Sequence, residues 1–226
     1  TENRNKYYGY GIARRINKNG YSFESNWRQS SLKDSPTLRV GTIYDISPRH
    51  SVGVEANLAG YFPEKERSSV VDTVFYNGAL QGTIESDYNY LNKHKNWNLS
   101  ANYIARFDTV GSTFKLLFDY VRTHPHTGGY VEVDHIIPGD AYTYRSNNES
   151  QNDLYSVTGD FDIRAGDNAR VKTGFKYIFS QVDSWMKYED LVGDIWVVRP
   201  DQTYDMVYDE HISAAYGRYT YTFDSK

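Results

Sequence analysis

The sequence predicts an all-β chain, specifically a segment of an antiparallel up-and-down transmembrane β-barrel. Three observations support this prediction. Apolar and polar residues alternate with a period of two, short connections alternate with long ones, and aromatic residues gather near the ends of the predicted strands. Each strand would therefore separate two different environments.

Residues 99–107 show the clearest alternation. Leu99, Ala101 and Tyr103 share one face, whereas Ser100 and Asn102 share the other. This pattern is typical of strands with one wet face. It predicts nine strands, at residues 7–16, 20–29, 37–46, 50–61, 96–107, 112–122, 153–164, 169–181 and 206–220.

Every second predicted connection is a tight turn rich in Asn, Asp and Gly, as in β-hairpins. These turns lie at 17–19, 47–49, 108–111 and 165–168. The connections between them are longer and cover 30–36, 62–95, 123–152 and 182–205. Consecutive connections of a meander lie at opposite ends, so we expect all tight turns at one end and all long loops at the other. Outer-membrane barrels have this layout.

The segment 80–91 also alternates, with Leu80, Ile84 and Tyr88 among its apolar positions. A spanning strand here would raise the count to ten, but it would place the loops 123–152 and 182–205 opposite the loop 30–36. We therefore predict that 80–91 belongs to an ordered external loop.

The composition is compatible with a barrel but does not require one. The 226 residues include no Cys and 22 Tyr, the net charge is −4 and the mean hydropathy is −0.71. No stretch approaches the roughly 20 consecutive apolar residues of a spanning helix. A barrel explains the low hydropathy because only alternate strand residues meet lipid. Composition alone favours the alternative, a secreted or periplasmic β protein.

Aromatic residues are placed as two membrane-interface belts would be. Near the tight-turn end the sequence has Tyr21, Phe107, Phe114, Tyr221 and Phe223. Near the long-loop end it has Tyr61, Phe62, Tyr120, Tyr155 and Phe179. The alternative explanation is the high β propensity of aromatic residues.

An odd strand count distinguishes this chain from a complete bacterial barrel, which has an even number of strands. With nine strands, the first and the ninth run in the same direction. We therefore interpret residues 1–226 as a segment of a larger barrel, and we expect strands 7–16 and 206–220 not to pair with each other.

Several strand-and-turn passages resemble a known family. These passages are 44–53, 96–103, 107–114, 118–120 and 214–221, and they are similar to the barrel portion of TonB-dependent outer-membrane receptors, specifically their outer membrane protein beta-barrel relatives. The resemblance implies a barrel of about 22 strands in the outer membrane of a Gram-negative bacterium. A plug domain would close the barrel, and energy relayed by TonB would drive import of a scarce ligand.

The resemblance also implies partners. They are outer-membrane lipid, an unknown imported ligand, and TonB, which would contact parts of the parent chain other than residues 1–226. No cofactor and no nucleic acid is expected, and the sequence assigns no catalytic, metal-binding or ligand-binding residue. Neither a phosphate-binding loop nor a basic stripe typical of nucleic-acid binding is present.

Three groups of residues are candidate sites. The first is His124-Pro125-His126 with Asp134 and His135, whose side chains are of types that bind metal ions. We favour the alternative that these histidines lie in a loop and are exposed to solvent. The second is Trp185 and Trp196 around an acidic stretch, which either bind a ligand or pack the loop. The third favours a charged, water-filled lumen and consists of Ser156, Asp160, Asp162 and Arg164.

A soluble or surface β-sheet binding module, for example for glycans, is one alternative function, and an outer-membrane barrel enzyme is another. Such an enzyme would need a Ser-His pair aligned at one membrane interface. His211 and Ser213 are the neighbouring candidates on one strand face. Residues two apart on a strand point the same way but are too far apart for direct proton transfer, so we expect no enzyme activity.

Overall fold

The computed structural model describes residues 4–16, 19–109, 111–135, 141–166 and 168–223. They form one antiparallel sheet of ten strands. The strands are β1 (Arg4–Ile16), β2 (Tyr21–Asp34), β3 (Thr37–Ser47), β4 (His50–Tyr76), β5 (Ala79–Arg106), β6 (Thr113–His135), β7 (Tyr142–Ala165), β8 (Ala169–Val192), β9 (Ile195–Val198) and β10 (Tyr204–Tyr221). A short 3₁₀ turn, Pro200–Gln202, precedes β10, and no described helix has the length and apolarity to cross a bilayer.

The sheet is a meander with two open edges. Its strand order is β1-β2-β4-β5-β6-β7-β8-β10, with β3 paired to β4 and β9 paired to β8. Among the described residues, β1 pairs only with β2 and β10 only with β8, so the sheet does not close. Strands 7–16 and 206–220 therefore do not pair, as the sequence predicts.

β2 and β3 are consecutive parts of one long strand. Both run antiparallel to β4: Leu32 lies opposite Lys65, and Thr37 lies opposite Ala59. The register of the neighbouring β4–β5 ladder shifts between Tyr61 and Glu64, beside this break. The prediction of a loop at 30–36 that joins two separate spanning strands is therefore wrong. Ser35-Pro36 interrupts the strand because proline removes a ladder donor.

The other predicted long loops are also mostly strand. β4 and β5 contain 27 and 28 residues and continue through most of 62–95, including 80–91, which is the first part of β5. Asn77-Gly78 joins them with positive φ at both residues, as a type I′ turn requires. The polar composition of these segments suggested loops, but backbone ladders form between polar strands equally well.

The two ends of the sheet carry different turns. The connections from β3 to β4, from β5 to β6 and from β7 to β8 lie at the near end, and the turns 77–78 and 193–194 lie at the far end. Residues 17 and 18 of the first predicted tight turn lie outside the described residues, but Gly20, which follows the turn, lies at the far end, because the Asn77 amide donates to the Gly20 carbonyl at 2.8 Å. The predicted place of this turn beside the other tight turns is wrong. As a result β1 runs toward the far end and β10 toward the near end, opposite to each other.

One layer of sheet leaves little apolar surface buried. In the described part of the chain, the buried apolar residues are Val74, Ala105, Val131 and Val133. β10 is exposed along its whole length. A soluble β-sandwich would cover one face with a second sheet, whereas a barrel wall exposes its apolar face to lipid.

Candidate functional site

The strand register sorts the near half of the sheet into two faces. Tyr103 lies opposite Leu116, Leu116 opposite Gly159, and Gly159 opposite Phe175, so these residues share one face. We call this the apolar face. Alternate residues of the same strands, including Asn102, Thr158 and Lys176, form the opposite, polar face.

A row of aromatic rings crosses the apolar face toward its far border. Tyr120 stacks on Tyr155 with ring centroids 4.8 Å apart, and Tyr155 stacks on Phe179 at 6.0 Å. His211 continues the row at 4.8 Å from Phe179. The prediction that aromatic residues gather at this height is confirmed for Tyr120, Tyr155 and Phe179. Just beyond it, Arg122 Nε donates to Asp153 Oδ1 at 2.7 Å, so the face becomes charged.

The near border of the apolar face is also aromatic. Phe114 stacks on Phe161 at 4.4 Å, and Tyr221 lies edge-on to Phe223 at 4.8 Å. The prediction for Tyr21 is wrong, because Tyr21 contacts Tyr76 at the far end. The side chains of Tyr61 and Phe62 lie outside the described residues.

The band between the two borders has the height of a bilayer. On β10, His211 of the aromatic row and Tyr221 of the near border are ten residues apart, or about 33 Å along the strand. A strand tilt of about 40° reduces this to about 25 Å, the height of the apolar band of outer-membrane barrels.

The polar face carries several separate groups of hydrogen-bonded side chains across the same band. Ser100 donates to Asp119 Oδ1 at 2.6 Å, and Ser156 reaches Asp119 Oδ2 at 3.5 Å. Arg170 Nε donates to Asp162 Oδ1 at 2.6 Å. Tyr216 donates its hydroxyl to Asp160. Such a surface can line a water-filled channel.

The predicted lumen residues fall on this polar face together. Ser156, Asp160, Asp162 and Arg164 are alternate residues of β7 on the side opposite Phe161. The structure thereby confirms their shared face.

Beyond the band, the polar face becomes aromatic. Tyr88 and Tyr90 on β5 lie near Tyr142 and Tyr144 on β7, and Val131 lies buried between the two strands, opposite both Tyr88 and Tyr144. Tyr144 stacks on Tyr188 at 4.8 Å. We call these residues, Tyr88, Tyr90, Tyr142, Tyr144 and Tyr188, the tyrosine cluster.

The tyrosine cluster is partly desolvated. Burial, with smaller effects from Tyr144 and Tyr88, raises the pKa of Tyr90 to about 12. Burial also raises the pKa of Tyr188, with a contribution from Tyr144. Arg199 lies 4.7 Å above the ring of Tyr188 while its Nε donates to Asp190 at 2.8 Å. The cluster therefore offers ring faces and neutral hydroxyl groups to a ligand.

Sequence reasoning missed this cluster because it placed these residues in loops. The available signal was the repeated pattern in which one residue separates two tyrosines, at 88–90 and at 142–144. On a strand, that spacing puts both rings on one face.

The histidines near residue 125 lie on strand β6 and not in a loop. His124 Nε2 lies 2.6 Å from Glu149 Oε1, and His126 Nδ1 lies 3.6 Å from Glu149 Oε2. The hydrogen bond from His124 lowers the pKa of Glu149. Asp134 lies eight residues farther along β6, and the side chain of His135 lies outside the described residues. Within the described ranges, no group of three His, Asp or Glu is placed to hold a metal ion.

The tryptophans of the predicted loop 182–205 lie on strands, Trp185 on β8 and Trp196 on β9. Trp196 lies 4.4 Å under the guanidinium of Arg145, whose Nε donates to Glu189 at 2.6 Å. Trp185 lies opposite Glu149 on the neighbouring strand. Asp190 pairs with Arg199, and Asp194 lies in the far-end turn. For Trp196, the packing interpretation is confirmed.

His211 and Ser213 do not form a hydrogen-bonded catalytic pair in this arrangement. Both lie on the apolar face, opposite Phe179 and Tyr177. His211 Nδ1 shares a hydrogen bond with the Tyr177 hydroxyl at 2.8 Å. The His211 imidazole therefore contacts the aromatic side chains of Tyr177 and Phe179.

Comparison with known proteins agrees with this geometry. A family model described as the outer membrane protein beta-barrel family matches residues 105–226, more than half of the chain. No curated protein and no solved structure matches the chain. The matched residues include β6 to β10, which carry the whole aromatic row and most of the polar face. The chain belongs to the outer membrane protein beta-barrel family.

Proposed function

We propose that this chain forms part of the barrel wall of a TonB-dependent receptor in the outer membrane of a Gram-negative bacterium. The tyrosine cluster captures a scarce ligand outside the cell, and the polar face lines the route inward. TonB supplies energy through parts of the protein other than residues 1–226. The proposal assigns transport and no catalytic step.

The observation that carries the proposal is the length of β4 and β5. A bilayer needs about 9–11 strand residues, yet these strands have 27 and 28. About 16 residues of β4 remain beyond the apolar band, or about 50 Å along the strand. The hairpin is much longer than the membrane requires, and the part outside the membrane can hold a ligand above a channel.

The position of the tyrosine cluster supports the same function. It lies on the face that continues the channel wall, and Tyr144 and Tyr188 present half-buried rings there. A ligand bound to these residues would enter the channel without leaving the polar face.

The experiment is a binding measurement between the folded full-length protein in detergent and the periplasmic domain of TonB from the same organism. We expect saturable binding, together with a cross-link that forms in intact cells. A folded full-length protein that neither binds nor cross-links to TonB would overturn the receptor proposal. Tyr90→Ala with Tyr188→Ala should leave TonB binding unchanged while it reduces the ligand that co-purifies from cells. Tyr177→Phe, on the apolar face, is the matched control.

A further inference from the structure

We infer that the apolar face carries a binding site for a phosphate-bearing lipid headgroup just beyond the aromatic row. The site is a patch of basic residues on β4, β5 and β6. We call it the basic patch, and it consists of Lys65, Lys93, Lys95, His124 and His126. This inference requires that the chain resides in the outer membrane with the far end of the sheet outside the cell, and it does not depend on transport.

Strand β5 carries the chemical gradient of a membrane interface on one face. Leu99, Trp97, Lys95 and Lys93 are alternate residues and therefore point the same way. Leu99 lies opposite Tyr120 in the aromatic row, so it marks the hydrocarbon border. Same-face residues are about 7 Å apart along a strand, which places Lys95 about 14 Å and Lys93 about 20 Å beyond Leu99. An apolar residue followed by an aromatic residue and then by basic residues is the order expected on a strand that passes from the hydrocarbon through the interface to the headgroups.

The neighbouring strands extend the patch sideways. His124 lies opposite Lys95, and His126 lies opposite Lys93. Directly opposed residues have Cβ atoms about 5 Å apart, so the four side chains surround an area of the size of one phosphate group. Lys65 follows on β4, opposite Leu91. Lys65, Lys93 and Lys95 are exposed, and long basic side chains can extend along the surface to reach a headgroup.

Acidic residues do not neutralise the lysines. Glu149 contacts His124 and His126, but it lies on β7, two strands or about 10 Å from β5. Asp153 pairs with Arg122. On this face of β4 to β6, the described residues between Arg122 and Tyr130 include no carboxylate.

The charge is segregated across the sheet at this height. On β8 and β10 the same face carries Asp183, Asp205 and Asp209, and Lys187 of β8 is paired with Glu189 at 2.9 Å. The basic residues thus gather over β4 to β6. An anionic headgroup would be attracted to one side of the wall and repelled from the other. The lipid we assign is an outer-leaflet glycolipid with phosphorylated sugars.

The test titrates the full-length protein in detergent with lipid A that carries its phosphates, and separately with dephosphorylated lipid A. Binding is followed by native mass spectrometry. K93Q/K95Q should weaken binding of the phosphorylated lipid at least about tenfold and leave the dephosphorylated lipid unaffected. K93R/K95R should retain binding. K115Q/K176Q is the matched control, since it removes two lysines from the polar face.

Three results would overturn the inference. The two lipids could bind the wild-type protein equally well, K93Q/K95Q could bind like the wild type, or inorganic phosphate alone at equal concentration could displace the lipid. The last result would indicate a site for soluble phosphate. Circular dichroism verifies the fold of each variant, and the single variant K95Q replaces K93Q/K95Q if the double variant does not fold.

Discussion

The ring of Tyr90 lies directly against Gly129, its partner across the β5–β6 ladder, in the space where a Cβ atom would stand. The neighbouring backbone of Asn89 and Tyr90 also occupies that space. Only glycine at position 129 leaves room for this ring against the adjacent strand. This contact packs the tyrosine cluster against the backbone of the far half of the sheet.

Gly129→Ala should therefore displace Tyr90 and loosen the far half of β5 and β6. Overpacking of this kind costs about 1–3 kcal/mol. Hydrogen exchange should accelerate in residues 84–91 and 128–133 and stay unchanged in the near half. Gly60→Ala is the control, because among the described residues a Cβ there would meet only the His94 carbonyl, at an ordinary 3.7 Å. Equal protection in both variants would contradict the packing role of Gly129.

The ion pair between Arg145 and Glu189 should make the far half sensitive to acid. Hydrogen bonds from Arg145 and Lys187 lower the pKa of Glu189 to about 2. A lowered pKa in the folded state means that the stabilisation is complete above the ordinary value near 4.5 and is lost as the pH falls from there toward 2. Hydrogen exchange in 143–147 and 187–191 should increase over this range, and Glu189→Gln should remove that part of the pH dependence. A variant with the wild-type pH profile would exclude Glu189 as the responsible group.

Adjacent leucines on β6 distinguish the lipid-facing side from the channel side. Leu116 lies on the apolar face and Leu117 on the polar face. Leu116→Arg should destabilise the full-length protein in lipid vesicles by about 2–4 kcal/mol, because it puts a charge near the bilayer midplane. Leu117→Arg should cost much less, and Lys176→Gln should be tolerated. Denaturant titration measures all three, and equal costs for the two leucines would reject the assignment of faces.

Cysteine labelling should assign the two ends of the sheet to the two sides of the membrane. Gly193 lies at the far end and Gly166 at the near end; both have positive φ and open space around a Cβ, so their strain is matched. An impermeant reagent should label Gly193→Cys on intact cells. It should label Gly166→Cys only after the outer membrane is opened. Labelling of Gly166→Cys on intact cells would reverse the orientation.

The sequence by itself determined the two faces and their chemistry in the membrane band. Side chains alternate on any extended strand, so the sides of Leu99, Ser100 and Asp160 follow from their positions. The aromatic row at Tyr120, Tyr155 and Phe179 followed in the same way. These features depend only on local geometry and on the environment that each face meets.

The tertiary structure alone decided where the strands end and what they pair with. Backbone hydrogen bonds extend β4 and β5 through polar segments without a hydrophobic signal, so residues 62–95 resembled a loop. β2 and β3 form a single strand because both pair with the same edge of β4, and β1 therefore ends at the far end of the sheet. The tyrosine cluster and the basic patch each combine residues from strands distant in sequence. Their existence depends on inter-strand register, which no short segment encodes by itself.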